Sequence, residues 1–186
     1  STRSGRVVWL SEVLDKAVEK ARKIIEEKNP EEADKDAIAE SVGVGAVVFS
    51  ALWNNRIKDI VFSFDKVLNF DGETAPYVQY THARCASALR KGGDFDLAAA
   101  DMRAISSEEG LDVVKCLLGF EDAVRLAAKT REPCYVTRYA VELAEKFNRF
   151  YIGHRIIGED RGATNARLFL AYMTKSTLAA ALGLIG

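Results

Sequence analysis

The 186-residue chain is 48% hydrophobic and carries 26 Lys plus Arg against 27 Asp plus Glu, a net charge of −1. That apolar share is enough for one sizeable core or two small lobes, and it excludes a disordered tail. Near neutrality excludes a uniformly basic nucleic-acid binder, though not a local basic face. Three cysteines, Cys85, Cys116 and Cys134, form no CxxC pair. They argue against a disulfide scaffold and for a reducing compartment. The longest uninterrupted apolar runs fall far short of the ~18 residues of a membrane span. Val7 to Leu10 is too short for the apolar region of a signal peptide. The chain starts at Ser1, which leaves open both processing and a longer parent.

In chain order, Leu14, Val18, Ala21 and Ile25 recur at helical spacing and predict a helix over Ser11–Lys28 with Ser11 as N-cap. A second helix is expected over Asp34–Leu52. Its apolar second half should be buried, and Gly43 and Gly45 would permit close packing. Alternation at Ile60, Phe62 and Phe64 suggests a short extended piece, and Asp71-Gly72 marks a turn. Thr74 and Pro76 open a helix running to about Leu89, which Gly92-Gly93 ends. Ser106-Ser107-Glu108-Glu109 resembles a capping box before a helix to Leu118, and Glu121–Lys129 continues beyond Gly119. A long amphipathic helix is expected over Pro133–Ile152, with Val136, Tyr139, Ala140, Leu143, Phe147 and Phe150 on one face. A loop over Gly153–Gly162 and a last helix over about Asn165–Leu182 follow. The expected class is all-α, a helical bundle with one short extended segment.

Residues 41–93 and 133–186 carry net charges of +2 and +3, while 1–40 and 94–132 carry −2 and −4. Side by side, the two basic segments would make one positive face; ordinary surface scatter explains such imbalances as readily. His82 and Cys85 share a helical face, but two ligands do not make a zinc site, and no metal is expected. Gly43-Val44-Gly45 lacks the rest of a dinucleotide fingerprint.

Several stretches carry a family resemblance. Ser1-Thr2-Arg3-Ser4-Gly5-Arg6-Val7-Val8 resembles the MSTRxGxVV form of the class I signature loop in arginyl-tRNA synthetases. Val42 to Val47, Asp59 to Asp65 and Phe70-Asp71-Gly72-Glu73-Thr74-Ala75-Pro76-Tyr77-Val78-Gln79-Tyr80-Thr81-His82-Ala83-Arg84 resemble that family's central signature. Arg138-Tyr139, Leu143-Ala144 and Phe147-Asn148-Arg149-Phe150-Tyr151 look like the long helix of its DALR-type anticodon-binding domain. Ala166 to Leu184 looks like the closing helix. The resemblance covers nearly the whole chain, in order, and the TAPYxQYxHAR block is the most specific part. One tetrapeptide misleads: Tyr151-Ile152-Gly153-His154 looks like the HIGH motif of class I synthetases. It closes a helix with no strand before it, so it is rejected as a nucleotide site.

The resemblance implies a bundle of the DALR type. Residues 1–73 would form the end of a catalytic domain and a helical connection, and residues 74–186 the anticodon-binding domain. It implies an arginine–tRNA ligase, a class I enzyme that attaches arginine to tRNA(Arg) using ATP, with Mg. The HIGH loop and nucleotide-binding sheet would precede Ser1, so the chain alone is not expected to be catalytic or to bind ATP. A short segment that usually ends the family in methionine would follow Gly186. The helix over Ser11–Lys28 would border the catalytic domain and leave some apolar surface exposed. In the intact enzyme, Ser1, Thr2 and above all Arg3 would meet the ATP phosphates. The expected tRNA-binding residues are Tyr77, Tyr80 and Tyr151 as stacking platforms, with Asn148, Gln79, Arg84 and Arg149. The loop from about Phe64 to Gly72 would lie beside the same bases. His82 stands as support or contact, Arg138 and Arg155 as further phosphate ligands, and Phe147 and Phe150 as core. Asn148 could meet a base edge or cap backbone groups. Partners would be tRNA(Arg), with L-arginine and ATP only through the catalytic domain and no membrane; the location would be cytoplasmic. Two other readings stay open: a helical module that keeps the fold but binds protein, with 94–132 as its surface, and a free-standing tRNA binder without ligase activity.

Overall fold

A computed structural model describes residues 8–186, and the chain divides into two compact units, residues 1–76 and 77–186. The described residues form α-helices, one 3-10 turn and loops, with no strand, as the all-α expectation requires.

In the first unit, α1 (Leu10–Lys28) and α2 (Lys35–Trp53) pack along each other. Their interface is built from small residues: Ala17 and Ala21 on α1 meet Ala39, Gly43 and Ala46 on α2. At Gly43 the two backbones approach closely: a Cβ there would sit 2.6 Å from the Val18 backbone nitrogen and 2.7 Å from its Cα. Ser11 is not the cap; α1 begins at Leu10 and the capping position falls on Trp9, whose side chain accepts no bond. Trp9 and Leu10 are about two-thirds exposed. Residues 59–63 are irregular chain. Ser63 is extended (φ −144°, ψ 125°), but an extended segment becomes a strand only with a partner, and the described residues supply none. The chain then makes one helical turn, α3 (Phe64–Val67), whose Val67 and the following Leu68 close the core of the unit. Gly72 takes a positive φ of 87° in the turn before the next helix.

In the second unit α4 (Ala75–Gly92, whose first two residues belong to the first unit), α5 (Glu108–Leu118), α6 (Phe120–Thr130), α7 (Cys134–Gly153) and α8 (Arg161–Ile185) form a bundle. Helix α7 is the central element and packs on α5, α6 and α8. Its expected core face is buried throughout: Val136, Tyr139, Ala140, Leu143, Phe147 and Phe150. The Tyr139 hydroxyl finds a buried acceptor in the Cys116 carbonyl at 3.0 Å. Ser107 caps α5 by accepting from the Gly110 amide, so the reciprocal Glu of a strict capping box is replaced by glycine. Gly110 is needed there, because a Cβ would lie 2.3 Å from the Ile105 carbonyl oxygen. A 3-10 turn over Met102–Ile105, capped by Asp101, precedes α5 and packs on α8. Helix α8 starts four residues earlier than expected, because Asp160 caps it by accepting from the Ala163 amide and Gly162 is absorbed into the first turn. The three cysteines are free and buried.

Helices α2 and α8 have mean hydropathies of 1.4 and 1.5 over stretches long enough to cross a membrane. The sequence reading missed this because isolated Gly, Ser and Thr break the apolar runs without lowering their average much. One third of each stretch is buried within the structure.

Gly43→Ala pushes a methyl into α1 backbone and should destabilise the chain by about 1–3 kcal/mol in urea unfolding. Gly183→Ala meets nothing within 4 Å and should be neutral or stabilising by up to ~1 kcal/mol.

Candidate nucleic-acid interface

Four of the expected site residues come together on the second unit. Helical spacing places Tyr80 and Arg84 on one face of α4, and Asn148 and Tyr151 on one face of α7. Across the two helices, the Arg84 guanidinium lies 4.8 Å from the Tyr80 ring centroid and 4.9 Å from that of Tyr151. Its Nη2 donates to the Tyr80 hydroxyl at 3.3 Å, and its Nη1 donates to Asn148 Oδ1. Tyr151 is backed by the fully buried Phe147, with ring centroids 6.0 Å apart. The result is a layered surface in which a cation sits against two aromatic rings, and Tyr80, 49% exposed, presents its ring to solvent. Such a surface can stack an unpaired base and attract a phosphate.

The other candidates are placed differently. Tyr77 is half-buried one turn before Tyr80, and its carbonyl accepts from the Thr81 hydroxyl at 3.0 Å. Gln79 is half-buried on the same helix. Arg149 is exposed on α7 and lies with His154 near Glu109, whose carboxyl falls below its ordinary value chiefly through its own backbone amide and the Ser107 hydroxyl. Asn148 does not cap backbone groups. It is 7% exposed, and its amide bonds to Arg84 and, at 2.7 Å, to Thr81 Oγ1. Thr81, fully buried, was not singled out from the sequence; a hydroxyl inside an otherwise apolar face was the available signal. Arg138 is exposed and lines a cleft of about 420 Å³ with Lys115 and Lys146, where Lys146 is bonded to Glu142 at 3.0 Å. Arg155 is exposed, and its carbonyl accepts from Arg167. Ser1, Thr2 and Arg3 lie outside the described residues.

The remaining motifs resolve plainly. His154 ends α7, with its backbone amide donating to the Phe150 carbonyl and its ring stacked on Phe150 at 4.6 Å, so Tyr151–His154 is a helix C-terminus. Burial pushes the Cys85 thiol up to about 12. Among the described residues no group of three or more His, Cys, Asp or Glu is placed to hold a metal ion.

Residues 78–186 match the DALR anticodon binding domain family, and residues 1–64 match the catalytic domain of class I tRNA synthetases (R). The chain belongs to the DALR anticodon-binding domain family, and the stacked surface lies on that domain. At the level of particular proteins, it is 44% identical over its full length to the arginine–tRNA ligase of Halothermothrix orenii and 49% identical to that of Ligilactobacillus salivarius. It spans about a third of the length of each (33%). Among solved structures, Thermus thermophilus arginyl-tRNA synthetase superposes with a TM-score of 0.89 at 35% identity, over 96% of this chain and 31% of that one. Arginyl-tRNA synthetase from Plasmodium falciparum shares the fold, with a TM-score of 0.83 at 24% identity over 96% of this chain and 32% of that one.

His82 is half-buried on α4. Its pKa lies below the ordinary 6.5, first because burial disfavours the charged ring and second because Lys175 is positive. The unfolded chain therefore takes up a proton near 6.5 that the folded chain refuses, and stability present above that pH is lost as pH falls through it. Urea midpoints measured from neutral to mildly acidic pH should fall, and the fall should be smaller in His82→Asn.

Proposed function

We propose that the second unit binds the anticodon loop of tRNA(Arg), and that the chain is the C-terminal part of a cytoplasmic arginine–tRNA ligase. The observation that carries this reading is the Tyr80–Arg84–Tyr151 stack on the DALR domain. Single-stranded loops are recognised by splaying bases out onto aromatic rings, each worth about 1–3 kcal/mol. Here Tyr80 offers the exposed ring and Tyr151 the second, half-buried one. Arg84 beside them holds a positive charge where the loop backbone would pass, and its remaining N–H groups would donate to base edges or phosphate oxygens. Tyr77, Gln79 and Arg149 are proposed as flanking contacts, and Asn148 as part of the same site.

The division of labour follows the same reading. Residues 1–73 are proposed as the end of the catalytic domain and a helical connection, and residues 74–186 as the anticodon-binding domain. The match of residues 1–64 to the class I catalytic domain supports this. L-arginine and ATP, with Mg, are assigned to the catalytic portion of the whole ligase. There, Ser1, Thr2 and Arg3 would set hydroxyl groups and a cation against the ATP phosphates, and positioned charge of this kind stabilises a departing anion.

The test is a titration of the chain with tRNA(Arg) and with a form whose anticodon bases are changed, at low and moderate salt. Tighter binding to the native anticodon is expected, weakening steeply with salt. Tyr80→Ala and Tyr151→Ala should each cost about ten- to a hundredfold. Equal binding to both RNAs, or none at low salt, would contradict the reading and favour a protein-binding module.

A further inference from the structure

Arg84 is a long side chain on a helix surface, and its rotamer entropy opposes any single pose. Yet its guanidinium is fixed against two rings on different helices. The reason lies beneath it, in a chain of hydrogen bonds with one permitted direction. Thr81, fully buried, gives its only hydroxyl proton to the Tyr77 carbonyl at 3.0 Å. Its oxygen can then only accept, which requires the Nδ2 end of the Asn148 amide to face it, at 2.7 Å. That turns Oδ1 of Asn148 toward Arg84, which has donors alone. The reversed amide would set two donors against each other at the guanidinium and two acceptors against each other at Thr81. Thr81 and Asn148 are buried, so the acceptor–acceptor fault between them is the costly one, and the donor–donor fault at the half-buried guanidinium adds to it.

We propose that Asn148 is a positioning residue: its amide, oriented by Thr81, fixes the Arg84 guanidinium between Tyr80 and Tyr151 and so sets the surface that an RNA base meets. Asn148 then acts on RNA through Arg84, not by touching a base edge. The positioning itself is a property of the free protein; its effect on RNA rests on the anticodon-binding reading of this face.

Two readouts on the full chain keep those parts separable. The first needs no RNA. The Arg84 side-chain Nε–H resonance, assigned by its loss in Arg84→Lys, should be ring-current shifted in the wild type, because the guanidinium lies against two rings. Asn148→Ala and Thr81→Val should both move it to the ordinary exposed position, while Thr81→Ser, which restores the hydroxyl, should return it. Backbone amide spectra of α7 report whether each variant has folded, and the Thr81 pair decides the question if Asn148→Ala does not fold. An Arg84 resonance unchanged in Asn148→Ala and Thr81→Val overturns the proposal. The second readout is a double-mutant cycle on tRNA(Arg) binding. Asn148→Ala should weaken binding about tenfold alone and have no further effect in the Arg84→Ala background. A loss that persists in full without Arg84 overturns the proposal, because Asn148 would then contact RNA directly. If Arg84→Ala itself leaves binding unchanged, the RNA reading of this face fails, and the resonance still decides whether Asn148 positions Arg84.

Discussion

A buried amide joins α4 to α7. Asn148 is buried on α7 beside the fully buried Phe147, and such a group is tolerated only when both ends of the amide are bonded. Thr81 and Arg84, one turn apart on α4, supply the two bonds. The same crossing brings the rings of both Tyr80 and Tyr151 within 5 Å of a single guanidinium. Apolar packing alone would hold α7 in the bundle, since its face of Leu143, Phe147 and Phe150 is completely buried. The amide adds two directional bonds to that packing, both to one turn of α4, and the candidate site is built on them.

The two units are stabilised by different means. The first relies on close approach of helices with small residues at the seam, where Ala17, Ala21, Ala39 and Gly43 let backbones meet. Its surface pairs, such as Lys20 with Asp65 and Arg22 with Asp36, are largely exposed and contribute little. The second unit relies on large side chains around α7 and on side-chain caps at the starts of other elements: Asp101, Ser107 and Asp160 each accept a backbone amide proton. These caps set the ends of the loop segments, so that the elements around α7 start at defined positions.

Much of this fold is written in local sequence. The apolar spacing from Val136 to Phe150 predicts α7 and its buried face directly, and glycine pairs and prolines mark the ends of α4 and the start of α7. The failures are instructive. Ser11 has the chemistry of a cap, but the helix had already begun. Asp160 had the same chemistry inside a stretch that reads as a charged, glycine-rich loop, so the first turn of α8 was missed. Alternation over Ile60–Phe64 suggested an extended piece, but pairing is a tertiary property and no partner strand exists among the described residues. In the candidate site, the spacing of Tyr77 and Tyr80 is local and the resemblance supplied Tyr151. The coupling of Arg84 to Asn148 spans 64 residues and leaves no periodic trace. Nothing in the spacing separates an arginine held between rings from an ordinary surface charge.

The central claim is that a base from an RNA loop stacks on the ring that Tyr80 presents beside Arg84. The most direct measurement is intermolecular NOE spectroscopy between the chain, labelled at tyrosine, and an anticodon stem–loop of tRNA(Arg). The account predicts cross-peaks from the Tyr80 ring to the protons of an unpaired loop base, with Tyr151 ring signals shifting on binding. A stem–loop that binds with its contacts confined elsewhere, for example at the Lys115–Arg138–Lys146 cleft, while the Tyr80 and Tyr151 rings remain as in the free protein, would contradict it.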